Sequence, residues 1–141
     1  MRAEIELRMP YYIDKQIRNH LARIDYIRSS LLPGGIAYDL DRVQGGFPGD
    51  RYANAMGRIS EIEAVITKLE QKKDWYENIR IPLLLEQVKK TDAADVLLYY
   101  IVMRMPMWMA ANKVIVSRST ANRLMREGLQ DIQEYLDGRN K

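Results

Sequence analysis

Apolar residues recur every three or four positions at Ile13, Ile17, Leu21, Ile24, Ile27 and Leu31. That spacing marks one face of an α-helix. It predicts a helix from about Pro10, whose missing N–H suits a first helical turn, to Leu32, ahead of the breaker Pro33-Gly34-Gly35. A longer pattern follows. Tyr52, Ala55, Ile59, Ile62, Ile66, Leu69, Lys73 and Tyr76 form a heptad-like seam with one polar member, Lys73. Arg58, Glu61, Lys68, Glu70, Lys72 and Asp74 make the opposite face charged. This helix starts near Asp50, a good N-cap residue, and reaches Arg80 before Pro82 kinks or stops it. Its length of about 46 Å and its narrow apolar stripe require a packing partner. The first helix, folded back as an antiparallel hairpin, supplies one; a second copy of the chain is the other candidate.

The remaining pattern is also helical. A short helix is expected over Leu83–Lys90, and Thr91-Asp92 gives a second start signal, with acids placed against the positive end of a helix dipole. Ala93–Met103 is apolar on nearly all faces. A strand reading of this run is set aside because no second strand candidate exists to pair with it. Pro106 opens a helix over Met107–Val114, and Ser117 caps another over Arg118–Leu136 that ends at Gly138. The fold class expected is all-α: a coiled-coil-like antiparallel hairpin over 1–82, then a C-terminal helix-turn-helix bundle over 83–141. Between the first two helices lies a loop, Pro33–Gly49, with five of the chain's eight glycines. Loops of this length are often functional.

Charge changes the picture at one place. The chain has 22 basic and 19 acidic residues, a net charge of only +3. Yet 104–126 holds Arg104, Lys113, Arg118, Arg123 and Arg126 and no acid, the signature of a surface facing a polyanion. There is no cysteine, which removes disulfides and zinc–thiolate sites. The longest apolar run, Val96–Met103, is far short of the roughly 20 residues of a membrane span, and the N-terminal stretch lacks the apolar core of a secretion signal. The expectation is a cytoplasmic protein with no membrane partner.

Enzymatic chemistry is not indicated. His20 is the only histidine and lies beside the apolar face of the first helix. Glu61 and Glu63 are two positions apart on a helix and point to different sides. Gly45-Gly46-Phe47-Pro48-Gly49 lacks the lysine and Ser/Thr of a phosphate loop. No catalytic residue, metal site or cofactor is assigned.

Two helices joined by a short turn form the unit whose second helix enters the DNA major groove. In this chain Ala110, Ala111, Val114, Val116, Ala121, Leu124 and Met125 supply its buried contacts, and Trp108 is expected to pack onto Ala93–Met103. The methionines around it read as core filler. Ser117, Arg118, Ser119, Asn122, Arg123 and Arg126 then remain on the outer face. Arg bonds guanine and Asn bonds adenine bidentately. Arg118 and Asn122 are expected to read bases; Arg126, Lys113 and Arg104 are expected to hold phosphates. Ile115 stands where such turns favour glycine, because the backbone there takes positive φ, so a longer or reshaped turn is expected.

Asp41-Arg42-Val43-Gln44, the step Pro48-Gly49-Asp50 and the C-terminal stretch Val116-Ser117-Arg118-Ser119-Thr120-Ala121-Asn122-Arg123-Leu124 together carry a resemblance. Over nearly its whole length the chain resembles the RinA/ArpU-type transcriptional activators of phages and prophages of Gram-positive bacteria. Those end in a helix-turn-helix similar to the promoter-reading region of sigma factors. The resemblance implies a phage-encoded regulator, an activator, binding promoter double-stranded DNA, with host RNA polymerase and a second copy of the chain as further partners. The competing reading is a coiled-coil assembly, scaffold or DNA-packaging protein that reads no sequence.

Overall fold

The computed structural model describes residues 1–31 and 48–138, and among them every regular element is helical. In chain order these are α1 (Arg2–Ser30), α2 (Pro48–Trp75), a π-helical turn (Tyr76–Arg80), α3 (Ile81–Glu86), α4 (Thr91–Leu97), a second π-helical turn (Leu98–Val102), α5 (Met107–Val114) and α6 (Arg118–Leu136). Most of the Pro33–Gly49 loop, with Asp41–Gln44, lies outside the described residues. No helix among the described residues is long and apolar enough to cross a membrane.

The chain divides into two compact units, Ile13–Lys72 and the combination of Met1–Tyr12 with Lys73–Lys141. The boundary expected near residue 82 therefore falls elsewhere: the first twelve residues and residues 73–82 belong with the C-terminal helices. In the first of these units, Ile24 of α1 and Ile59, Ile62 and Ile66 of α2 form a buried cluster, with Ile17 and Ile27 against it. This is the seam that the three-four spacing predicts. It begins at Ala55, since Tyr52 is exposed. Leu21, on the predicted stripe of α1, is exposed as well.

The second unit holds the larger core. Ala3 and Leu7 from α1, Ile81 and Leu84 from α3, Val96 and Leu97 from α4, and Ala121, Leu124, Leu129 and Ile132 from α6 are buried together. This explains why α1 starts at Arg2 and not at Pro10. Proline inside a helix removes one backbone bond, but here two further turns bury Ala3 and Leu7. The amide of Ala3, one of the donors a helix start leaves unpaired, donates to Gln133 Oε1 at 3.0 Å. Close packing also shapes α6, where a Cβ built on Gly128 would sit 2.7 Å from Leu97 Cδ1.

Pro82 does not stop the second long helix. The chain stays helical from Pro48 to Glu86, and the turn before the proline widens. The Ile81 amide donates to the Tyr76 carbonyl, five residues back. A widened turn moves the proline ring away from the carbonyl four residues earlier and absorbs the missing donor. At the same turn Arg80 Nε donates to Glu6 Oε2 at 3.3 Å, and Tyr76 is buried. Burial, followed by the negative charge of Glu6, raises the Tyr76 hydroxyl above its ordinary pKa, while Arg80 opposes the shift.

The short helix expected over 83–90 ends earlier, at Glu86. Its successor has Lys90 at the N-cap with no side-chain capping bond, so Thr91 is the first helical residue and not the cap. Asp92 lies in the first turn, as its place against the dipole suggests.

Candidate nucleic-acid interface

The candidate site is built by α5, α6 and the turn between them. α5 ends in a Schellman motif: the Ile115 amide donates to Asn112 O at 3.2 Å and the Val116 amide to Ala111 O at 3.0 Å. Ile115 occupies the left-handed position, φ 63° and ψ 51°. The turn is thus not reshaped to avoid positive φ; a β-branched residue takes the conformation that glycine usually fills. Val116 packs on the core, and Ala111 is buried within it, which completes the hydrophobic contact typical of this motif.

Ser117 then starts α6. Its Oγ accepts from the Thr120 amide at 3.2 Å and donates to Thr120 Oγ1 at 2.9 Å. These bonds satisfy one of the donors that a helix start leaves unpaired. They also commit Ser117 to the cap, so this candidate contact residue serves first to place the helix. Ser119 lies beside it, its Oγ 3.3 Å from that of Ser117.

From there the exposed face follows helical spacing. Arg118, Asn122 and Arg126 are successive i, i+4 neighbours, flanked by Ser119 and Arg123, and all five are exposed. Ala121 and Leu124 are buried and Met125 packs on the core. The helix therefore separates a core face from a polar face as the sequence predicts. Lys113, near the end of α5, is exposed too. Among the described residues no ion pair joins an acid to Lys113, Arg118 or Arg126.

The other two cations are engaged. Arg123 Nε lies 3.8 Å from Glu127 Oε1, and Lys90 Nζ lies 3.0 Å from the other oxygen of the same carboxylate. Arg104 stacks its guanidinium 3.5 Å from the centroid of the Tyr11 ring. Arg104 also takes positive φ, 61°, where the second π-helical turn ends and the Met105 amide reaches back to Tyr99 O at 2.9 Å. Of the eight candidate residues, then, Arg118, Ser119, Asn122, Arg126 and Lys113 present exposed polar groups near one another in sequence and on the helix. Arg123 is exposed on the same face, but its charge is met by Glu127, a carboxylate it shares with Lys90. Ser117 is held by its capping bonds and Arg104 by the ring of Tyr11.

The acids of α6 lie beyond the 118–126 stretch, and besides the Arg123–Glu127 pair the first two meet residues just ahead of α4. Asp131 Oδ2 accepts the Lys89 amide at 3.1 Å, and Glu127 meets Lys90. Both begin only after Arg126, and the first turn of α6 contains no acid. The positive end of the helix dipole is therefore uncompensated from within and adds to the field of Arg118.

Trp108 corrects one expectation. It is 52 % exposed and is not a core residue; its neighbour Met107 is the one that packs against the core. Two residues near the candidate face were not legible as part of it: Lys90, which shares Glu127 with Arg123, and Ile115, which is 89 % exposed. The glycine expected at a left-handed helix end was the signal for Ile115, and it pointed to the backbone and not to the side chain. Among the described residues no acid, histidine or cysteine cluster of metal-binding size occurs. Comparison with protein-family models, curated proteins and solved structures finds no match to this chain.

Proposed function

We propose that this chain is a phage- or prophage-encoded transcription regulator that binds promoter-region duplex DNA with α6 in the major groove. The observation that carries the reading is the 118–126 surface. It has three arginines, an asparagine and a serine, with no acid inside it; the nearest acid of the same helix, Glu127, is divided between Arg123 and Lys90, and the next, Asp131, accepts the Lys89 amide. A fixed turn and a capped start hold that surface on a buried core, which is how a base-reading side chain is kept in register. Activation and contact with host RNA polymerase follow from the resemblance to RinA/ArpU-type activators, and a cytoplasmic location is where such a regulator would meet its DNA. A second copy of the chain on a neighbouring half-site, one DNA turn away, fits the same reading.

The roles divide by place on the helix. Arg118 and Asn122, at its start, read base edges; Arg126 and Lys113 hold phosphates. Arg123 contributes less because Glu127 already shares its charge, and Arg104 contributes least because Tyr11 holds it. The test is a titration of Arg118→Ala, Asn122→Ala and Arg126→Ala on duplexes enriched from a random library and on scrambled controls, at two salt concentrations. Loss of a base reader costs about 1–3 kcal/mol and relaxes preference at one position. Loss of a phosphate contact weakens both DNAs alike and lowers the salt slope by about one. If all three folded variants bind like the parent, α6 is not a recognition helix, and the scaffold reading takes its place.

A further inference from the structure

Ile115 is an outlier in two respects at once. It is β-branched yet holds a left-handed backbone, and it is 89 % exposed. Left-handed geometry disfavours such a side chain, and exposure at this level returns nothing through burial. Glycine or asparagine is the low-energy occupant of this position. Hydrogen bonds on both sides of the residue fix the conformation, so the side chain is presented rigidly. An observed outlier of this kind points toward a contact site.

The surroundings define what it contacts. Val116 turns into the core, which leaves Ile115 facing out. Lys113 lies two residues before it and Arg118 three residues after, both exposed. Ser119 and Asn122 add polar groups on the next turn. One apolar side chain set among cations and hydrogen-bonding groups matches the major groove of duplex DNA, where phosphates border the base edges and thymine presents a methyl group. An anionic lipid surface fits less well. Interfacial helices bury a broad apolar face, whereas the neighbours of Ile115 along α6 are Ser117, Arg118 and Ser119.

We infer that Ile115 is a specificity residue that packs on the 5-methyl group of a thymine at the edge of the sequence read by Arg118 and Asn122. This rests on the DNA-binding reading proposed above. Replacing thymine by deoxyuridine removes that methyl and nothing else. In duplexes enriched on the full chain, a single deoxyuridine at the contacted position weakens binding about fourfold, the worth of one buried methyl-sized group. Ile115→Gly and Ile115→Asn, both suited to left-handed backbone, keep or raise the melting temperature and bind the thymine and deoxyuridine duplexes equally.

The outcomes separate the two claims. If no sequence is enriched, the DNA-binding reading and this inference fall together. If sequences are enriched but deoxyuridine costs the parent and both Ile115 variants the same at every position, the DNA-binding reading stands and the role of Ile115 is overturned. Ile115-dependent binding to vesicles of phosphatidylglycerol and phosphatidylcholine, with no thymine dependence, overturns it in favour of a lipid contact.

Discussion

Arg104 and Tyr11 stand more than ninety positions apart in the sequence, yet the guanidinium lies 3.5 Å from the ring centroid. The contact ties α1 to the point where the chain leaves the second π-helical turn with positive φ. It turns a cation that the sequence offers to DNA into one that fastens the junction leading to α5.

A double-mutant cycle measures that contact. Tyr11→Leu with Arg104→Ala is expected to give a coupling of about 0.5–1 kcal/mol, the usual worth of an exposed cation–π pair. Tyr11→Phe should keep it. Urea unfolding of the four proteins supplies the numbers, and a coupling near zero would remove the stabilising role.

Two glycines within helices, Gly57 and Gly128, should respond to alanine with opposite signs. Gly57 lies on exposed helix with nothing within 4 Å of a built Cβ, so Gly57→Ala is expected to stabilise by about 0.5–1 kcal/mol. Gly128→Ala pushes a methyl against Leu97, which is 0 % exposed. Overpacking of that kind costs about 1–3 kcal/mol, more than the helix propensity returns. Thermal melts of both variants decide the signs.

The isoleucine cluster of the Ile13–Lys72 unit is thin, so each member matters. Ile59, 1 % exposed, should cost about 2–5 kcal/mol on change to Ala, and Ile66→Asp more, because it leaves an unpaired charge in an apolar seam. Tyr26→Ala, at 75 % exposure, should stay within about 0.5 kcal/mol of the parent. Equal unfolding midpoints for Ile59→Ala and Tyr26→Ala would show that the seam contributes no stability.

Tyr76 predicts an alkaline loss of stability. Burial and Glu6 favour its neutral form, so its pKa in the fold lies above the ordinary tyrosine value of 10.0. Folding then retains a proton that the unfolded chain releases. The stabilisation is fully present below pH 10.0 and is lost as pH rises through the higher folded value. Tyr76→Phe should remove this component, so the stability difference between parent and variant should shift in the variant's favour above that pH. Denaturation midpoints of the two proteins compared from about pH 8 to about pH 11 test it; parallel curves would refute it.

Much of the fold was legible because local rules agree with one another. α5 over Met107–Val114 and α6 over Arg118–Leu136 follow from Pro106, the cap at Ser117 and Gly138, which takes φ 76°. The α2 seam follows from the spacing of Ile59, Ile62 and Ile66. What escaped was nonlocal. Residues 2–9 offer too few apolar positions, ahead of a proline, to announce a helix. They form one because Ala3 and Leu7 meet a core drawn from four other helices, and because Gln133 caps the Ala3 amide. The widened turn before Pro82 depends likewise on Tyr76 being buried beside Glu6 and Arg80.

The candidate face divides in the same way. The sequence by itself determined which residues lie on the outer side of α6, since 3.6-residue periodicity and a capped start leave Arg118, Asn122 and Arg126 little choice. Tertiary structure decided which of the cations keep their charge unpaired. Lys90 and Glu127 are 37 positions apart and Tyr11 and Arg104 farther still, and no local rule encodes contacts across that much chain. Helical periodicity assigns a side chain to a face; only the packing of distant segments determines what already stands in front of it.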